Sequence, residues 1–243
     1  MEKIISIFLT YLFFLLFGLV LVIFHPLLVI SRIFGKKSLT AMMSLVVWIE
    51  VKLLLIRGIS YRYYGFKPLN SDRPLIFIGN HQSMWDTPPI ILKFYRYQPR
   101  FIAKKELRGF IPTVSFYLKY GGAVTIDRSD RKKSLEQIKK FAQQMKEEKN
   151  SACIYPEGSR SKDGKVRPFK SGGIAMLLEE LPNALIVPIA ISGSRKVDAS
   201  GTAAKPLGVQ VRVYMLEPRS LQLEQIEQGL EQIRQEIKAL VEK

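Results

Sequence analysis

The 243-residue chain is 47% apolar with a mean hydropathy of +0.07, high for a soluble protein and low for a polytopic membrane protein. Its net charge of +16 points to anionic partners: nucleic acid, anionic lipid or phosphorylated small molecules. A single cysteine, Cys153, and two histidines exclude an internal disulfide and any recognisable metal-ligand cluster.

Ile4 to Phe24 carries no charged residue, a run long enough to cross a hydrocarbon core of about 30 Å. It ends in His25-Pro26 and resumes as Leu27-Leu28-Val29-Ile30, unlike a signal peptide, whose apolar run is shorter and precedes a small-residue cleavage site. Leu39 to Ile56 is also apolar but holds Glu50 and Lys52. Charge is costly at a bilayer's centre, so this stretch is predicted to lie at the interface. Arg32, Lys36 and Lys37 stand between the two runs, positioned for lipid phosphates. Residues 1–58 are therefore expected to form a membrane-attached helical pair, and the basic cluster favours a cytoplasmic main domain. They hold six Lys/Arg and two Asp/Glu, leaving 31 against 19 on residues 59–243, a surplus of +12 on the remainder.

After residue 58, strand patterns alternate with helical ones. Ile59 to Tyr63 alternates as a half-buried strand, and Leu75 to Gly79 is continuously apolar, as a buried strand requires. Ala123–Ile126, Ala152–Tyr155 and Leu185–Ile191 read as further strands. Pro188 lacks a backbone donor and predicts an edge or a bulge. Val209, Val211 and Val213 alternate with polar residues in a last strand. Helical stripes run through Leu135, Ile138, Ala142 and Met145, then Ile174 to Leu181, then Ile226, Leu230, Ile233, Ile237 and Leu240. The last stripe is expected to pack on the domain. The expectation is an α/β domain over residues 59–243, with a central mixed sheet flanked by helices, following the N-terminal membrane-associated pair.

His25 reads as an interfacial residue. His81 follows the apolar strand and opens the polar turn His81-Gln82-Ser83-Met84-Trp85-Asp86, where a buried strand gives way to a loop. Asp86-Thr87-Pro88-Pro89 also resembles a helix start. On one continuous helix, five residues would separate His81 and Asp86 by about 140°. A turn leading into a helix would instead bring carboxylate and imidazole together. Three more blocks follow: Gly122-Ala123-Val124-Thr125-Ile126-Asp127-Arg128, Tyr155-Pro156-Glu157-Gly158-Ser159-Arg160-Ser161, and Val187-Pro188-Ile189-Ala190-Ile191.

In this order and spacing the four blocks resemble the glycerolipid acyltransferases, particularly those that act on 1-acylglycerol 3-phosphate. The family patterns are N-H-x-S-x-x-D, G-x-x-x-I-x-R, F-P-E-G-T-R-S and V-P-V-A-I. Here Tyr155 replaces phenylalanine, Ser159 threonine and Ile189 valine. Ala103-Lys104-Lys105-Glu106-Leu107 is similar to the family's lysine-bearing segment. The resemblance covers about residues 75–191.

It implies transfer of a fatty acyl group from acyl-CoA or acyl-ACP to the sn-2 hydroxyl of lysophosphatidic acid, giving phosphatidic acid at the cytoplasmic face of the cell membrane. The thioester is a substrate; no cofactor, metal or nucleic acid is implied. His81 would be the base and Asp86 would orient it; Lys104, Arg128, Glu157, Gly158, Ser159 and Arg160 would bind substrate. An alcohol with a pKa far above 7 needs such a base, and arginine forks suit phosphate oxygens. Glu157 has three open roles: holding Arg160, ordering its loop or contacting the acceptor. Cys153 lies in an apolar strand with no histidine beside it and reads as packing. The lack of a G-x-S-x-G elbow argues against a serine hydrolase. The alternatives are another lysolipid or glycerol phosphate acceptor, or a non-catalytic basic membrane-surface module.

Overall fold

A computed structural model describes residues 1–69, 72–109, 111–127, 129–198 and 204–242. The chain begins with α1 (Glu2–Ile33) and α2 (Lys36–Leu53), joined through Gly35. α1 is about 48 Å long at 1.5 Å per residue. Ser6, Thr10, Phe13, Leu21, Leu28 and Ser31 recur at helical spacing and are buried. Much of the remaining circumference is apolar and exposed, including Phe8, Tyr11, Phe14, Leu15, Val22 and Ile30. Among the described residues, α1 and Lys36–Arg57 are the two helices long and apolar enough to cross a membrane.

Lys36 does not stand free for lipid, because it pairs with Glu148. Arg32 lies over the Tyr120 ring at 5.4 Å. Glu50 is buried within the protein at 7% exposure.

The α/β part follows as β1 (Ser60–Tyr64), β2 (Leu75–Gly79), α3 (Thr87–Lys93), β3 (Pro99–Lys104), α4 (Pro112–Tyr120) and β4 (Val124–Ile126). It continues with α5 (Arg131–Glu148), β5 (Ser151–Ile154), α6 (Gly172–Glu180), β6 (Leu185–Ser192), α7 (Ser194–Val197), β7 (Gln210–Met215) and α8 (Ile226–Val241). The strands form one mixed sheet of seven in the order β1-β7-β6-β2-β5-β3-β4. Every neighbouring pair is parallel except β6 with β7.

The period of two in a strand divides the core between the sheet's faces. Leu75 and Phe77 of β2 and Val187, Ile189 and Ile191 of β6 join a cluster with Phe13, Leu28, Leu39 and Trp85. Ile76 and Ile78, with Ile186 and Ala190, join Ile138, Phe141, Leu177, Leu230 and Ile233 on the other face. The result is three layers, with α1 to α4 on one side and α5, α6 and α8 on the other. Each large aliphatic or aromatic side chain buried this way contributes on the order of 1.5–3 kcal/mol. The α8 stripe packs on the domain, with Ile233 and Ile237 fully buried.

Pro188 lies in an interior strand, not at an edge: β6 has β7 on one side and β2 on the other. β6 itself carries no bulge there, since it pairs in step with β2 from Leu75–Leu185 to Gly79–Ile189; the irregularity is in its pairing with the other neighbour. Ile189 pairs with Met215, but pairing resumes at Ile186 with Arg219, one residue out of step. Leu216 N–H donates to Pro188 O at 3.0 Å. The extra residue lies on the partner segment between Met215 and Arg219, which holds Pro218, another residue without a backbone donor.

Candidate active site

β2, β5, β3 and β4 are parallel, so Gly79, Ile154, Lys104 and Ile126 end at the same edge of the sheet. Asn80 fixes the end of β2 to β6. Its Nδ2 donates to Ile191 O at 2.8 Å, and its Oδ1 accepts from Ile191 N at 2.7 Å. The chain then turns sharply: Met84–Asp86 is a single 3-10 turn capped by Ser83, and α3 follows with two prolines in its first turn.

Asp86 makes no side-chain cap to α3. Its fully buried carboxylate points back, and Oδ2 accepts from Gln82 N at 2.6 Å and Ser83 N at 2.8 Å. His81 Nδ1 lies 2.8 Å from the same oxygen. An oxygen already accepting two amides is also the acceptor for the ring, so Nδ1 carries the hydrogen and Nε2 keeps its lone pair. Among the described residues Nε2 has no partner, and the His81 side chain is 17% exposed. The Tyr155 ring lies flat on the imidazole, with centroids 4.3 Å apart and planes within 10°.

Glu157 braces the other side of this turn. Its Oε1 accepts from His81 N at 3.0 Å, while Ser161 N donates to His81 O at 2.7 Å. Burial pushes the Glu157 carboxyl up to about 7, against the opposing His81 amide and Arg167. Its cation is Arg167, whose Nε lies 3.6 Å from Oε2, close enough for attraction but too far for a hydrogen bond. Arg160 is not its partner. Arg160 is exposed and makes no ion pair or hydrogen bond among the described residues.

Ser159 is held by Arg167, which donates to its backbone and hydroxyl oxygens. Gly158 adopts φ +76, and a Cβ there would stand 3.3 Å from Lys170 Nζ, so glycine both permits the turn and admits that ammonium. Lys104 ends β3 half-exposed and pairs with Glu106 at 3.0 Å. Its neighbour Lys105 pairs with Asp127. Arg128, expected to bind substrate, lies outside the described residues. Cys153 is 1% exposed and burial pushes its thiol up, which suits packing rather than nucleophilic attack.

His81, Asp86 and Glu157 thus come together through direct hydrogen bonds, with Gly158 and Ser159 in the adjoining turn. Among the described residues Lys104, at a strand end, and Arg160, in a loop, make no hydrogen bond or ion pair to them. Sequence reasoning missed Arg167, Lys170 and the stacking of Tyr155. The basic run Lys165-Val166-Arg167-Pro168-Phe169-Lys170 was the available signal for the first two.

The Acyltransferase family profile matches residues 60–192, more than half of the chain. The chain belongs to the Acyltransferase family. Its relatives include a chloroplastic 1-acyl-sn-glycerol-3-phosphate acyltransferase of Brassica napus, 30% identical over 149 residues, which are 61% of this chain and 42% of that protein. Enzymes of the same name match from Saccharomyces cerevisiae, 28% identical over 68% of this chain and 54% of that protein, and Pseudomonas aeruginosa, 28% over 65% and 59%. The chain thus spans about half the length of these relatives. The crystal structure of the 1-acyl-sn-glycerophosphate acyltransferase PlsC from Thermotoga maritima shares the fold of this Acyltransferase member, with a TM-score of 0.77 at 24% identity, covering 99% of this chain and 98% of that one.

Proposed function

We propose that this acyltransferase moves a fatty acyl group from acyl-CoA or acyl-ACP to the sn-2 hydroxyl of 1-acyl-sn-glycerol 3-phosphate, giving phosphatidic acid. The observation that carries this reading is the 2.8 Å His81–Asp86 contact within the family-matched span, with Nε2 left to accept a proton. The names of the relatives favour this acceptor.

In this reading Nε2 removes the hydroxyl proton as the alcohol oxygen attacks the thioester carbonyl carbon. Asp86 holds the tautomer and offsets the charge that develops on the ring. The stacked Tyr155 face limits ring rotation and favours the imidazolium. Collapse of the tetrahedral intermediate breaks the carbon–sulfur bond, and the imidazolium returns the proton to the departing sulfur. No acyl-enzyme forms. Arg160 and Lys170 lie beside the turn with no ion pair among the described residues, and Lys104 and Arg128 are candidates by family position; these would meet the acceptor's phosphate. We assign residues 1–58 to membrane attachment at the cytoplasmic face and residues 59–243 to catalysis, so that the acceptor is used without full extraction into water.

The test is transfer of labelled acyl groups to lysophosphatidic acid by the purified protein, run with both donors. His81→Ala is expected to lose on the order of 10²–10⁴-fold in turnover while remaining folded and membrane-bound. Unchanged turnover would remove His81 as the base.

A further inference from the structure

The turn that carries His81 and Asp86 is gripped by a carboxylate from outside the four sequence blocks and beyond the family-matched span. Asp198 follows α7, and its two oxygens divide between two donors of that turn. Oδ2 accepts from Ser83 Oγ at 2.6 Å, and Oδ1 accepts from the indole Nε1 of Trp85 at 3.1 Å. Ser83 Oγ also accepts from Trp85 N at 3.1 Å, and Ser83 N is one of the two amides that aim Asp86. Ser83 and Trp85 are fully or nearly fully buried, at 0% and 3% exposure, so neither donor has water as a substitute partner.

Behind Asp198 stands Arg57, 2% exposed, just before β1. Its guanidinium donates to Val197 O at 3.1 Å and Pro206 O at 3.3 Å, and its charge faces Asp198. Phe13 and Phe17 of α1 meet the Trp85 ring edge-on at 5.7 and 6.0 Å, and Tyr61 donates its hydroxyl to Trp85 O at 2.9 Å.

We propose that Asp198 is a positioning residue for the catalytic pair: backed by Arg57, it fixes Ser83 and Trp85 and thereby the amides that hold Asp86 against the imidazole. A carboxylate suits the role because it supplies two acceptors at fixed spacing to two buried donors. Asp198 does not touch the imidazole, and its effect passes through Ser83 and Trp85. The proposal rests on the reading of His81 as general base.

The experiment compares Asp198→Ala, Ser83→Ala, the double variant and Asp198→Asn in full-length protein, in detergent–phospholipid micelles, with His81→Ala run alongside. Misaiming a base by about 1 Å costs on the order of 100-fold, so Asp198→Ala is expected to lose about 10- to 100-fold in kcat. KM for both substrates should change by less than about twofold, since no binding contact is removed. The double variant should be no worse than Asp198→Ala, because the two residues act as one unit. Asp198→Asn keeps an acceptor for Trp85 and should recover most of the loss.

A kcat within about twofold of wild type for Asp198→Ala, or losses that multiply in the double variant, overturns the proposal. So does an effect confined to KM. If Asp198→Ala does not accumulate folded, Ser83→Ala decides by the same split between kcat and KM. Full turnover by His81→Ala would sink the base itself. An inactive His81→Ala beside an active Asp198→Ala would sink only the positioning role.

Discussion

Glu157 is the residue whose chemistry departs furthest from what its sequence block conveys. It is 2% exposed, and burial raises its carboxyl from 4.5 to about 7. Between these values the folded protein holds a proton that the unfolded chain has released. The contribution of this carboxyl to stability is therefore fully present below pH 4.5 and is lost as pH rises through about 7. The thermal midpoint of the purified protein should fall across that window, and Glu157→Gln should flatten the decline. A decline of equal size in the variant would assign it to other groups. His81 and Asp86 were legible as a pair because both sit in one short block; Glu157 was legible as a member of its block, but its partners were not. Arg167 and Asp198 were not. Arg167 reaches the site across a loop, and Asp198 reaches it only because α7 returns the chain beneath Ser83 and Trp85.

At the scale of elements, the passage from β6 into α7 depends on Gly193. It adopts φ +87, and a Cβ there would lie 2.8 Å from Gln210 O, a backbone atom with no freedom to retreat. Gly193→Ala should destabilise the protein by roughly 1–3 kcal/mol, read as a lower denaturation midpoint. A variant as stable as wild type would mean that β7 shifts without cost. β3 and α4 went unrecognised in the sequence. β3 carries the buried Arg100, which breaks the apolar pattern of an inner strand. Its guanidinium is 2% exposed and donates to Thr40 Oγ1 at 2.7 Å and Gln98 Oε1 at 3.1 Å. α4 mixes polar and apolar residues over nine positions, too few for a clear stripe. The long stripes of α5 and α8 were legible because several turns repeat one face.

For the whole molecule, the N-terminal helices and the charge of the remainder act together. An exposed apolar face on α1 favours lipid, and a +16 chain favours anionic headgroups. Each has a different salt dependence, because the Debye length falls from about 8 Å at physiological ionic strength to about 3 Å at 1 M. Raising salt to 1 M should leave the protein sedimenting with phosphatidylglycerol-containing vesicles, while removing most of any rate advantage these have over neutral ones. Release of the protein by salt alone would show that α1 contributes little to attachment.

The sequence by itself determined the Acyltransferase family, the juxtaposition of His81 with Asp86 and the apolar N-terminus, because these rest on short-range patterns: strand-end blocks, one histidine with one carboxylate, an uncharged run. Tertiary structure alone decided which groups hold them in place. Trp85 against Phe13 and Ser83 against Asp198 are contacts between segments distant in the chain, and Glu157 meets Arg167 rather than Arg160 through the path of the loop between them. Spacing in sequence carries no information about such pairs, since the sheet order β6-β2-β5-β3 is set by burial on two faces and not by chain order.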